Sequence, residues 1–141
     1  MNSQLAIGLH ILGFLASRPG ERLTSEQMAR TYGTSPVVLR RVLAKLRQRG
    51  LVETWRGNGG GSALARSAKE ITLREAYEAI AEDQPILTRH PSDCAGRVAT
   101  VMGGYINELY ADAELALLRR LEAVTVAEMD QEIRTRLFGS A

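Results

Sequence analysis

The chain has 141 residues, 45% of them apolar and 24% charged, with a net charge of +2, a length suited to one globular unit that buries about two-thirds of its chain surface. No run of about 18 apolar residues exists to cross a membrane, and a lone cysteine, Cys94, excludes an intramolecular disulfide and points to the reducing cytoplasm. Residues 18–66 hold ten Lys/Arg against three Glu, a net +7, while residues 67–141 hold eight against thirteen Asp/Glu, a net −5; either the first stretch faces a polyanion or it is simply a solvated basic surface.

The opening stretch, MNSQLAIGLHILGFLASRPG, has no basic start of the kind a secretory signal needs. Its spacing of Leu5, Leu9, Leu12, Phe14 and Leu15 suits a buried helix. RPGERLTSEQMARTYG then predicts a turn and a short helix, with Thr24 and Gln27 as a capping box, Met28, Ala29 and Tyr32 as the inward stripe, and Gly33 as the stop. The next helix starts at once, with Ser35 as N-cap and Pro36 as first residue. It runs to about Arg49 with Leu39, Val42, Leu43 and Leu46 facing inward, and Gly50 ends it.

GLVETWRGNGGGSALAR, residues 50–66, holds five glycines. It is no Walker-type loop, because Ser62-Ala63 stand where Lys and Ser or Thr would follow the last glycine. A dinucleotide fingerprint also fails in both frames for want of the third glycine. LVETWR alternates like a strand and residues 62–65 return, so the glycines form a hairpin tip. ITLREAYEAI predicts a further helix capped by Thr72 and Glu75. Two prolines and turn-forming residues mark a linker over 84–94. Beyond it Met102, Ile106, Leu109, Ala113, Leu117, Leu121 and Val124 keep a helical stripe, and Thr125 with Glu128 opens a last helix. So long an amphipathic helix either packs on its own domain or pairs with a second copy, and pairing accounts better for its length.

Two short helices around Gly33, followed by strand, glycine tip and strand, make a winged helix-turn-helix. The second helix turns Val37, Val38, Arg40, Arg41, Lys45 and Gln48 outward or to the flanks. A helix fits the major groove and reads bases with its N-terminal residues, which places Ser35, Val37, Arg40 and Arg41 to specify. Lys45, Arg47 and Arg49 come later and suit phosphates. Any one of these arginines could be an ordinary exposed helix charge, but five basic residues within ten positions, with no acid between them, favour a DNA face. At the wing, either Gly59 and Gly60 let the backbone approach the sugar-phosphate walls, with Arg56 set to enter a minor groove, or the hairpin is simply a floppy solvent-exposed loop.

The residues Gly50-Leu51-Val52, Arg56-Gly57, Gly59 to Gly61, Leu64-Ala65-Arg66 and Ile71-Thr72-Leu73 resemble the Rrf2 family of bacterial transcription regulators, which includes IscR-, NsrR- and CymR-like members. The resemblance covers most of the chain, more loosely after residue 85. Ser62 stands where the family's wing usually carries an aromatic residue, a departure that bears on how the wing packs. The resemblance implies a homodimer formed through the long C-terminal helix and binding to an imperfect palindrome on double-stranded DNA. Several family members hold an iron–sulfur cluster on three linker cysteines. This chain has only Cys94 and resembles the cluster-free members, so no cofactor or metal is expected. Cys94 is either a redox-sensitive thiol, with Arg89, His90 and Arg97 near it in sequence, or a residue that merely packs.

The expected architecture is therefore mainly α with a small β-hairpin wing. A DNA-binding head spans residues 1–84, a linker 85–96 and dimerisation helices 97–141. The expected function is a cytoplasmic, homodimeric, sequence-specific repressor answering a small-molecule or redox signal, without enzymatic activity and without a membrane partner. The alternative is a winged-helix module that binds protein instead of DNA, and the charge split argues against it.

Overall fold

The apolar N-terminal spacing forms α1 (Ser3–Ser17) in the computed structural model, which describes residues 3–82, 87 and 96–139. Ile7, Ile11, Leu12 and Leu15 are buried, and Leu5, Leu9 and Phe14 pack half-buried around them. The apolar residues run almost all the way round because α1 is a central helix, touching α2 (Ser25–Tyr32), α3 (Pro36–Gln48), α4 (Leu73–Ala81), α6 (Val126–Phe138) and the strand β2 (Gly61–Leu64).

Local signals set the helix ends. Thr24 and Gln27 close a reciprocal capping box on α2, and Gly33 ends it at φ 87°, donating to the Ala29 carbonyl at 2.8 Å. Ser35 accepts from the Val38 amide at 3.2 Å, with Pro36 opening α3. Thr72 accepts from the Glu75 amide at 3.2 Å, but the Glu75 carboxylate does not complete a box; it pairs with Arg66 on the way out of the wing. Strands β1 (Val52–Trp55) and β2 are antiparallel, with Val52 opposite Leu64 and Trp55 opposite Gly61. Leu23 adds a bridge on the outer side of Ser62.

Beyond the head, α5 (Arg97–Glu122) spans 26 residues, about 39 Å at helical rise. The final helix then returns. Leu73 donates to the Val124 carbonyl at 2.9 Å, Val126 donates to the Ile71 carbonyl at 2.8 Å, and the Val126 side chain is fully buried in the head's core. Arg74 of α4 bonds both Glu78 and Glu122, and these carboxylates hold its pKa above the ordinary guanidinium value, Glu78 contributing most. Arg134 donates to the Ser17 carbonyl at the end of α1.

The last turn of α5 and α6 thus pack against the core built by α1, α3 and α4. The expected α5 stripe splits accordingly. Leu121 and Val124 pack on the head's core, while Val98, Val101, Met102, Tyr105 and Leu109 remain exposed toward the N-terminal end. Among the described residues no helix is long and apolar enough to cross a membrane.

Candidate nucleic-acid interface

Burying Leu39, Val42, Leu43 and Leu46 fixes the rotation of α3 and so decides what its other side presents. Val37, Arg41 and Gln48 share the opposite side and are all exposed, Val37 at 58%. Arg41 makes no hydrogen bond or ion pair with the described residues, and its guanidinium carries five donors. Ser35 is exposed, but its hydroxyl oxygen is engaged as the cap. Arg40 leans to one flank, where its Nη1 donates to Glu26 of α2 at 3.1 Å; both side chains stay more than half exposed. The pair engages one of the five guanidinium donors of Arg40. Val38, expected on the outward or flanking side, is half-buried against the core.

Lys45 requires a correction. It is expected to face phosphate, yet its side chain is 19% exposed and turned toward the end of α4. The ammonium donates to Gln4 Oε1 at 3.0 Å and to the Ile80 carbonyl at 3.4 Å, with Glu82 at 3.5 Å. The reason is position: Lys45 sits on the flank of α3 that α1 and α4 cover, and a cation there meets the unsatisfied carbonyls of a helix C-terminus. Arg47 and Arg49 remain exposed.

In the wing, Arg56 is exposed and bonded to none of the described residues. Gly57 and Gly59 take positive φ, 83° and 75°, with open space around them. Gly60 differs. A Cβ there would lie 2.5 Å from the Trp55 carbonyl oxygen and 2.7 Å from that of Gly57, so this glycine is required by the hairpin's own backbone. Ser62 is buried; its hydroxyl lies 3.0 Å from that of Thr54 across the strand pair, and its backbone exchanges two hydrogen bonds with Leu23. Hence the wing is held firmly without an aromatic residue at that position.

Sequence reasoning missed Arg22. Its guanidinium stacks 3.9 Å from the centre of the Trp55 ring, and its Nη1 donates to the Gly59 carbonyl at 3.3 Å. No local pattern announces that contact, since 37 residues separate Arg22 from Gly59. His10 meets the Tyr32 ring edge-on at 4.6 Å, a packing contact within the head. Cys94 and His90 lie outside the described residues.

A family model described as Rrf2, iron-dependent transcriptional regulator, matches residues 1–132. The HTH-type transcriptional regulator NsrR of Bacillus subtilis (strain 168) is 33% identical over 122 residues, covering 86% of this chain and 83% of that protein. YwnA of the same strain is 31% identical over 90 residues, a match that takes in 65% of its length. Among solved structures, T. potens IscR superimposes with a TM-score of 0.74 at 19% identity, over 100% of this chain and 93% of that one, which shows a common fold. Iron appears in the family description, but a cysteine-held cluster needs several thiolates. The chain has a single cysteine, and among the described residues no three His, Cys, Asp or Glu side chains come together. This donor set does not fit a cluster.

Proposed function

The chain belongs to the Rrf2 family of DNA-binding transcription regulators, and from that premise we propose that it acts as a homodimeric repressor reading a two-fold symmetric DNA site. The observation that carries the proposal is Arg41, exposed in the middle of the outward side of α3 and bonded to none of the described residues. Placed in a major groove, Arg41 reads a guanine bidentately and Val37 meets a thymine methyl, with Ser35 and Arg40 at the same end of the helix. Arg56 and the open backbone at Gly59 lie against the neighbouring minor groove. The exposed apolar side of α5 pairs with a second copy, setting two reading heads about one helical turn of DNA apart. Such a regulator works at the chromosome, in the cytoplasm, and has no catalytic role.

Selection of bound duplexes from random sequence tests the proposal. Inverted repeats bound by a dimer are expected, and Arg41→Ala should relax the preference at one base pair of each half-site, costing about 1–3 kcal/mol per contact. Unbiased sequences, or single half-sites bound by a monomer, would overturn it. The repressor assignment is checked by transcription in vitro from a promoter carrying the selected site, where added protein should lower the yield.

A further inference from the structure

The wing is two four-residue strands joined by residues 56–60, three of which are glycines. A hairpin this small is marginal by itself, and glycines offer no side chains with which a tip could pack. Arg22 and Leu23, outside the hairpin, secure it, and the residue after them opens the helix-turn-helix. Leu23 pins its base by exchanging hydrogen bonds with Ser62 at 3.0 and 2.8 Å. Thr24 is the N-cap of α2, where the helix-turn-helix begins. Arg22 reaches the tip, stacking on Trp55 at 3.9 Å and donating to the Gly59 carbonyl at 3.3 Å. Arg22 forms no ion pair with the described residues, so its charge is held by a ring face and a carbonyl, with no carboxylate to cancel it.

We propose that Arg22 is the positioning residue of the wing: it clamps the tip to the entry of the helix-turn-helix, so that wing and recognition helix meet DNA as one rigid reader. The inference rests on the reading that the wing contacts DNA. Preorganisation gives the clamp its consequence. A tip already fixed loses less conformational entropy on binding, and Arg56 is presented from a set position.

Trp55 is the only tryptophan, so its fluorescence reports the clamp directly. Arg22→Met keeps an apolar chain over the ring and removes the charge and donors. Arg22→Lys keeps the charge and loses the planar stack. In the free proteins, both substitutions should change the emission and quencher access of Trp55 while the urea midpoint stays put. On a duplex selected by the wild type, both should bind about tenfold more weakly. Hydroxyl-radical protection should be lost only where the wing lies. The salt slope should not change, and the effects of Arg22→Met and Arg56→Ala should combine to less than their sum, because both act through the wing.

Unaltered Trp55 fluorescence in both variants overturns the clamp. So does full affinity of Arg22→Lys combined with a salt slope lowered by about 0.9 per protomer in Arg22→Met, which would make Arg22 a plain phosphate contact. If Trp55 responds while Arg56→Ala leaves affinity and flanking protection untouched, the clamp is supported and the wing contact with DNA is what fails.

Discussion

Replacing Lys45 by methionine keeps an unbranched chain of similar reach and removes one ammonium from the flank of α3. In the structure that ammonium bonds Gln4 and the Ile80 carbonyl and lies 3.5 Å from Glu82. Glu82 is 55% exposed, so the ion pair contributes less than about 1 kcal/mol. The hydrogen bonds weigh more, because their donor is charged and largely shielded, while methionine retains the packing of the stem. Together these give a loss of about 1–2 kcal/mol in folding stability. No charge leaves the side of α3 proposed to face DNA, so the slope of log K against log salt should not move. Arg47→Ala is the counterpart: Arg47 is exposed and its side chain is bonded to none of the described residues, so its loss should leave stability alone and lower the slope by about 0.9 per protomer. Urea unfolding and anisotropy titrations of a selected duplex over a range of salt measure both quantities. A Lys45→Met protein of wild-type stability with a slope reduced as in Arg47→Ala would refute the assignment of Lys45 to the fold.

Three further outcomes are expected. Val126→Ala should cost about 1.5–3 kcal/mol in urea unfolding, since the side chain is fully buried in a core it shares with α1 and α4; a change below about 0.5 kcal/mol would mean that α6 is not part of the head. Leu109→Glu, at a position 48% exposed in the single chain, should leave the unfolding of isolated protomers intact while sedimentation shows monomers; persistence of the dimer would exclude this side of α5 as the pairing surface. Cys94→Ser should match wild type on DNA in reducing buffer and differ after mild oxidation only if the thiol carries the signal, so equal responses of the two proteins would exclude it.

Most of what neighbours in sequence settle was legible in advance; the Glu75 half of the α4 cap was not, because that carboxylate pairs with Arg66. The caps at Thr24, Ser35, Thr72 and Thr125, the left-handed stop at Gly33 and the inward side of α3 depend on contacts within about four residues. The face of α3 followed from the same periodicity, which is why Val37 and Arg41 lie where they were expected. Lys45 did not follow. Periodicity gives an angle about the helix axis, and an angle on the flank leaves open which neighbouring element covers it. Here α1 and α4 do, and their coverage depends on Gln4 and Ile80, 41 and 35 residues away.

The return of α6 was hidden for a related reason. Its capping box announced a separate helix and is present, with Thr125 and Glu128 bonded reciprocally, but a cap says nothing of where a helix docks. The docking signal is a pair of backbone hydrogen bonds between residues 71–73 and 124–126, and backbone groups carry no mark in sequence. The same holds in the wing. Loss of the aromatic residue at Ser62 would loosen a hairpin that depended on cross-strand side-chain packing. This hairpin instead gains a single β-bridge to Leu23 and an arginine over Trp55. The Ser62 and Thr54 hydroxyls meet across the pair, a small polar contact at a buried position. Ser62 and the Arg22–Trp55 stack are thus two halves of one solution: with no aromatic residue on β2, the ring that holds the wing is Trp55 on β1, opposite Gly61, and a cation from outside the hairpin fixes it in place.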